Sequence, residues 1–447
     1  MPRLYVLRAH TILALGLALL STTGALVGVT ISDAAGSPAA LIPGSAGLSE
    51  PTIDFMPNGR EFVTAIPGII IGAFPLTKTP IFENDSTGTW LVRSNGLTMT
   101  GDVQGGGDSD IEFDSQNRGY FADLYLANDD VAVSKDGVTW IASPAGHYTS
   151  VVDRQWFAHY KDQYVYLITN QNTVVGVNGL PNGEGAVSFR YEVGTPAGEI
   201  GGLMAPVEVP LVCSCGPPGV PSVDQTTGDL YVPMWRATGL VVYHSSNNGL
   251  TFTAINVPGS IPHDDLQFAV SAVDAAGNVY VVYDHHVGGQ AEVYLTVSTN
   301  HGASYSVPVK VSTGTGTHIM PWVVAGAAGK IAIVYYQTSK VGDNNDNSAF
   351  AGATWNVSYV ESTNANAATP TFTRYDLDGV YHVGSIDTIG LQSVTGGGPD
   401  RSLGDFFSAS IKPTTGEVFV ASSRTHVSGR ADGVYVVRMP AGASTLN

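Results

Sequence analysis

The sequence predicts an all-β chain in which one strand-rich unit repeats around a closed ring, and three observations carry that expectation. First, a turn motif recurs. Ser298-Thr299-Asn300-His301-Gly302-Ala303-Ser304-Tyr305 and Ser245-Ser246-Asn247-Asn248-Gly249-Leu250-Thr251-Phe252 share one pattern, and Ser134-Lys135-Asp136-Gly137-Val138-Thr139-Trp140 is a copy one residue shorter. Ser and Asn or Asp can hold the N–H groups of a tight turn, Gly supplies a positive φ, and the closing aromatic anchors the next strand. Second, the copies are evenly spaced: 53 residues separate Ser245 from Ser298, and 111, close to twice that, separate Ser134 from Ser245. Third, runs such as Asn278-Val279-Tyr280-Val281-Val282-Tyr283 recur between Gly-rich turns. A period of roughly 40–55 residues with several short strands per unit is the signature of a β-propeller of four-stranded blades.

The units run in chain order. Unit one holds Thr52–Phe55, Glu61–Ala65 and Thr89–Val92, with an insertion from Pro67 to Ser86 and a weak turn box at Ser94. Unit two holds Asp110–Asp114, Tyr120–Leu126 and Val131–Ser134, ending in the Trp140 box. Unit three holds Asp153–Ala158, Tyr164–Ile168 and Thr173–Val177, with a decayed box expected near Ser188. Units four and five carry the two full boxes. Unit six runs from Met320 through Lys330–Tyr336 and Trp355–Val360 to a weak box at Ser362. Unit seven holds Asp405–Ser410, Glu417–Ala421 and Gly433–Arg438, and then the chain ends without a fourth strand. A ring cannot leave an edge open, so a segment just before Pro51 is expected to complete the last unit. Seven blades is the count this gives; six is the alternative if unit one or seven merges with a neighbour.

Residues 1–30 read as a signal peptide or N-terminal anchor, with Arg3 and Arg8 ahead of an apolar run from Thr11 to Thr30 and small residues at the candidate cleavage points Ala25 and Ala35. Residues 31–48 read as a linker and 49–447 as a single propeller domain, secreted or at the cell surface. With 38 acidic against 20 basic residues, seven of them lysine, the net charge is −18. That excludes nucleic acid as a natural partner and leaves the N-terminal segment as the only membrane contact. The two cysteines, Cys213 and Cys215, suit a tight local disulfide in an oxidising compartment.

Three unit openings carry the chemistry. Asp153-Arg154-Gln155-Trp156, Met320-Pro321-Trp322 and Asp400-Arg401-Ser402-Leu403-Gly404-Asp405-Phe406-Phe407 each lie at the start of an inner strand. In a propeller such openings gather at one mouth of the central channel. Asp153, Arg154, Trp156, Trp322, Arg401 and Asp405 are therefore the candidate ligand-binding set, with Arg forks for an anionic group and Trp rings for a sugar. The competing reading makes each Asp–Arg pair a bridge between blades and each Trp interblade core. Asp343, Asn345 and Asn347 sit at the alternate positions of a calcium loop, although Ser348 replaces its Gly and Thr354 its Glu. Calcium is the one cofactor the sequence suggests. His263-Asp264-Asp265 and Asp284-His285-His286 are the main histidine clusters, but adjacent side chains on an extended segment point to opposite sides.

The boxes Ser134–Trp140, Ser245–Phe252 and Ser298–Tyr305 resemble the Asp-box, or BNR, repeats of sialidases and sialidase-like propellers. The turns Asp274–Tyr280 and Asp224–Tyr231 are similar to those of secreted BNR proteins. The resemblance implies a propeller with the boxes at blade peripheries, away from any catalytic centre. A sialidase of that family would carry three carboxylate-binding arginines, a Tyr–Glu pair, an acidic Asp and an Arg-Ile-Pro or Arg-Leu-Pro motif. The motif has no match: the arginine in that region is Arg60, in Gly59-Arg60-Glu61-Phe62. The expected function is thus a non-catalytic propeller that binds an extracellular glycan or protein at the channel mouth. The alternative is a sialidase-type glycoside hydrolase with a divergent site, using Arg154, Arg401 and Arg236 or Arg424.

Overall fold

A computed structural model describes residues 28–31, 38–67, 79–85, 87–93, 99–100, 106–125, 128–142, 152–172, 184–193, 207–211, 215–262, 269–287, 289–388, 398–439 and 445–447. They form seven sheets, each with an antiparallel four-stranded core. The inner strands touch one another in the order of blades one to seven, and blade seven returns to blade one. This is a closed seven-bladed β-propeller.

The middle strands explain why the chain reads as apolar runs rather than strict alternation. Blades pack face to face, so both faces of a middle strand are covered. Ile331–Thr338 in blade six and Val418–Arg424 in blade seven are buried almost throughout. Outer strands face solvent on their edge, and Thr253–Asn256 of blade four is exposed at both ends.

The inner strands have a different problem, since one edge of each faces the channel and has no ladder partner. Neighbouring blades satisfy part of it. Ile53 N donates to Ser408 Oγ (2.9 Å), Phe113 N to Asp54 Oδ2 (2.9 Å), Phe157 N to Asp110 Oδ2 (2.7 Å) and Met320 N to Asp284 Oδ2 (3.0 Å). Each such bond meets a backbone donor that would otherwise be buried unpaired.

Closure takes the expected route. Ala40–Leu41 pairs antiparallel with Gly433–Arg438 and forms the outer strand of blade seven. Ser45 holds the junction: its Oγ accepts from Val434 N (2.9 Å) and donates to Ile42 O (2.7 Å). Ile42 and Leu48 are buried in the core shared by blades one and seven. The propeller therefore begins by residue 40, inside the segment expected to be linker. Upstream, Gly28–Ile31 adds a parallel strand to the edge of blade six against Thr371–Arg374.

Three unit assignments change. In blade one, Trp90–Val92 is the fourth strand, not the third. The third is Ile81–Asn84, from within the presumed insertion. The turn between them is Asp85–Thr89, where Asp85 Oδ1 accepts from Thr87 N and Thr89 N (2.8 and 2.9 Å). In blade three the third strand is Glu184–Glu192 rather than Thr173–Val177. Ser188 lies mid-strand, so it makes no turn box. The box expected at Ser94, the whole Thr173–Val177 run and Cys213 lie outside the described residues, as do His263-Asp264-Asp265. The Cys213–Cys215 pairing therefore lies outside them too.

The recurrent turns connect third and fourth strands. Ser134 Oγ accepts from Gly137 N (2.8 Å), Ser245 Oγ from Gly249 N (2.9 Å) and Ser298 Oγ from Gly302 N (2.9 Å). Asp136, Asn247 and Asn300 cap the N–H groups of Thr139, Thr251 and Ser304. Ser362 and Asn364 make the same start in blade six, with Asn364 Oδ1 accepting from Thr371 N (2.9 Å). The glycines have φ of 69°, 74° and 75°. Each also lies against an aromatic of the preceding blade: a Cβ would fall 2.6 Å from Phe62, 2.8 Å from Tyr166 and 2.4 Å from Tyr231. The closing aromatics Trp140 and Tyr305 are buried, and Phe252 is half-buried.

Candidate functional site

Inner strands of blades one, three and six carry the same irregularity where they leave the mouth. The register shifts between Ser49 and Thr52, between Asp153 and Trp156, and between Ile319 and Trp322. In each bulge one non-glycine residue takes the left-handed region: Glu50 (φ 51°), Arg154 (φ 54°) and Met320 (φ 55°). Such residues cost about 1–3 kcal/mol each unless the surroundings hold them, and bulges re-aim side chains.

Here they aim two side chains at one point. Arg154 Nη2 lies 2.7 Å from Asp405 Oδ2, with both side chains 6% exposed. Arg401 Nη1 lies 3.0 Å from the other oxygen, Asp405 Oδ1, and 3.9 Å from Asp387 Oδ2. Asp405 N donates to Glu50 Oε1 (2.7 Å), and Gln155 Nε2 donates to Asp108 O. Residues from blades one, two and three and from the segment leading into blade seven thus meet across the mouth. Burial, reinforced by the charges of Asp108 and Asp405, pushes the Glu50 carboxyl well above the usual range. Burial also acts on Asp405, but the Arg154 and Arg401 guanidiniums outweigh it and hold that carboxyl below the usual range.

Beneath the ion pairs lies an aromatic layer. Trp156 from blade three meets Trp322 from blade six edge-on (centroids 6.0 Å apart) and Phe406 (4.9 Å). Blades three and six stand on different sides of the ring, so this contact spans the channel. Trp156 is buried and Trp322 half-buried. Beyond the layer a cavity of about 280 Å3 runs along the inner strands toward the opposite face, lined on one side by Asp54, Asp110, Glu112 and His159 and on the other by Trp322. None of Glu50, Asp108, Arg154, Arg401 or Asp405 lines it.

The structure therefore brings together Arg154, Arg401 and Asp405 as one group and Trp156 and Trp322 as another. Asp153 stands in the bulged strand at the same level. The pairing is not the bridge between neighbouring blades that the competing reading supposed, because Arg154 and Asp405 belong to blades three apart in the ring. Glu50, Asp108 and Asp387 were missed, and Phe406, although within the third opening, was not among the candidates. Glu50-Pro51 repeats the pattern of Met320-Pro321 and could have been found by it.

The other nominated arginines stay apart. Arg236 Nη2 donates to Tyr243 OH (2.6 Å) within blade four. Arg424 is held between the rings of Tyr381 and Tyr435 (4.5 and 4.4 Å) and donates to Asp378 O. The buried Tyr–Glu contacts among the described residues, Tyr375 OH to Glu361 Oε1 (3.1 Å) and Tyr359 OH to Glu361 Oε2 (3.5 Å), lie on the outer half of blade six.

The calcium-loop residues work as a strap. Asn345 Oδ1 accepts from Thr388 N (2.8 Å), Asn347 Oδ1 accepts from Ser385 Oγ, and Asn347 Nδ2 donates to Gly398 O (2.5 Å). Asp343 Oδ1 accepts from Asn345 N (2.9 Å). The amide oxygens that would serve a cation instead hold Ser385 and Thr388, with the Asn347 amide nitrogen on Gly398. Among the described residues no group of three His, Cys, Asp or Glu side chains could hold a metal ion. His285 is buried within its strand, and His286 Nε2 lies 3.4 Å from Asn344 Oδ1.

No family model matches this chain, and no curated protein matches it. Solved structures do. A fungal alcohol oxidase of the AA5 family in complex with copper is 12% identical over 92% of this chain and 77% of its own, with a TM-score of 0.51. The α-L-arabinofuranosidase Arb93A of Fusarium graminearum is 10% identical over 91% of this chain and 98% of its own, with a TM-score of 0.48. The NanB sialidase of Streptococcus pneumoniae is 12% identical over 90% of this chain and 70% of its own, with a TM-score of 0.43. The likeness is one of fold. The class that blades and turns define is a seven-bladed β-propeller, the architecture implied by the resemblance to sialidase-like proteins.

Proposed function

We propose that this protein is a non-catalytic propeller, secreted or surface-displayed, that binds an extracellular glycan or protein on the face bearing Arg401. One observation carries the reading: both arginines that reach the mouth are committed to Asp405. A carboxylate clamp needs guanidinium donors free to form bidentate pairs with the substrate, and Arg236 and Arg424 are engaged on other parts of the blades. What the mouth offers instead is a braced surface. Residues 343–347, held to Ser385, Thr388 and Gly398, brace a surface that bears Arg401 (25% exposed), Asp400 (27%) and His426 (52%), and His426 Nε2 lies 2.9 Å from Asp400 Oδ2. The basic start and apolar run of residues 3–30 support export.

The test is a panel of fluorogenic glycosides, sialosides included, with and without calcium, run beside an array of immobilised glycans. No turnover is expected, with retention on a subset of glycans that falls in Arg401→Ala. Turnover of a sialoside that disappears in Arg401→Ala would overturn the reading in favour of a sialidase-type hydrolase. Retention on no glycan, with capture of an extracellular protein lost in the same variant, would make that protein the ligand.

A further inference from the structure

The aromatic layer divides the channel, and the part on the other side of it has its own chemistry. Its cavity, about 280 Å3, is near the lower end of the usual range for small-molecule sites. The lining residues include three carboxylates, Asp54, Asp110 and Glu112, against one base, His159, and no lysine or arginine. The three carboxylates come from blades one and two, and Trp322 of blade six faces the same space from across the ring.

The partners already present leave the cavity short of positive charge. Asp54 accepts from Phe113 N and from Ser410 Oγ (3.0 Å), and Asp110 accepts from Phe157 N and Ile111 N, all neutral donors. His159 Nδ1 lies 3.0 Å from Glu112 Oε2, so the single imidazole pairs directly with one carboxylate of three, and burial still outweighs its charge at Asp54. A separate observation points the same way. Thr52, 2% exposed, lines the cavity, and its hydroxyl has no hydrogen-bond partner in the protein.

We infer that this inner cavity is a binding site for a small organic ammonium ion, held by Asp54, Asp110 and Glu112 on one wall and by the Trp322 ring on the other. A cation over an indole face is attracted by the ring quadrupole, and the attraction grows when water is excluded. The carboxylates behave as groups that lack a counter-charge: burial, with the charge of Glu112, pushes Asp54 up to about 8. Burial pushes Asp110 well above the usual range too. A bound ammonium would relieve both. The site is independent of the mouth and of the function proposed for it.

The experiment uses the full chain and two probes, ethanolamine and choline, in calorimetry and thermal melts. Sodium chloride at equal ionic strength and glucose are the controls. At least one ammonium probe is expected to bind and raise the melting temperature where neither control does. Glu112→Gln is expected to weaken that binding about tenfold, the effect of removing one nearby opposite charge. His159→Gln is expected to strengthen it, because it removes the competing cation. That rise distinguishes a charge-balanced site from a merely structural contact, and melts of the unliganded variants check that they fold. Equal shifts with sodium chloride or glucose, no binding of either ammonium probe, or weaker binding in His159→Gln would overturn the inference.

Discussion

At the residue scale, the repeated turn does two jobs that the motif states only in part. Ser and Asn satisfy the turn's N–H groups, which is legible from residue types. The glycine is required twice over, by its positive φ and by the aromatic of the preceding blade beneath it. Gly302→Ala would place a methyl 2.4 Å from the Tyr231 ring at φ 75°. It is expected to cost about 2–3 kcal/mol in urea denaturation; a loss under about 0.5 kcal/mol, the level of an ordinary surface change, would sink this account. Arg154→Met leaves Asp405 buried with one guanidinium instead of two. The expected loss is about 3 kcal/mol, the scale for breaking a buried pair, and Asp405→Asn in the same background should restore part of it. The residues of the mouth group were legible where they were charged and adjacent to an aromatic. Glu50 carried only the Pro51 that follows it, as Pro321 follows Met320, and Asp108 was not legible at all, because nothing local to Gly106-Gly107-Asp108 says that the chain closes it against blade three.

At the scale of the element, the outer strand of blade seven is the telling case. A three-stranded last unit and the need to close an edge were enough to place its missing strand before Pro51. The strand itself, Ala40–Leu41, is two residues long and sits in an Ala-, Gly- and Pro-rich stretch that reads as linker. Its strength comes from the residues just C-terminal to it, Ile42, Ser45 and Leu48, which anchor it in the core and at the junction. Ser45→Ala would leave Val434 N unsatisfied in a buried place and is expected to cost about 1–3 kcal/mol. Deleting residues 1–46 should cost more and expose the Gly433–Arg438 edge. Limited proteolysis would then cut blade seven first, and equal resistance in the truncated and full chains would argue against this closure. The third strand of blade one escaped notice for a related reason. Ile81-Phe82-Glu83-Asn84 is short, and the Pro-rich residues around it hide its period.

At the scale of the whole molecule, buried carboxyls set the response to pH. Burial is the main cause in each case: it raises Glu61 to about 7, against a hydrogen bond from Asn84, and Asp123 to about 7, against one from Thr79. With Asp54, these groups bind protons in the folded chain that the unfolded chain has already released. Stability therefore falls as pH rises from about 4.5 toward 8. Glu292 acts in the opposite sense. Burial would raise it, but hydrogen bonds from His318 and Ser312 and the charges of His318 and Lys310 bring it to about 2. Its contribution is present above about 4.5 and is lost as pH falls toward 2. The urea midpoint is expected to be higher at about pH 5 than at about pH 8, a net charge of −18 adding to the trend. A higher midpoint at pH 8 would contradict this. Glu61→Gln should flatten the difference.

What the sequence by itself determined is what local chemistry can encode: the turns, the period they mark, a count of seven blades with six as the alternative, the all-β class and the closure of the ring. Each depends on residues within one unit, or on counting units. Only the tertiary structure decided where the functional chemistry stands. Closing seven blades brings Arg154 and Arg401 onto Asp405, so they pair with an internal carboxylate. It also sets Trp156 against Trp322 across the axis and leaves an acidic cavity behind them. Contacts across the ring depend on bulge geometry and on the radius at which the blades close, and neither is written in any single stretch of the chain.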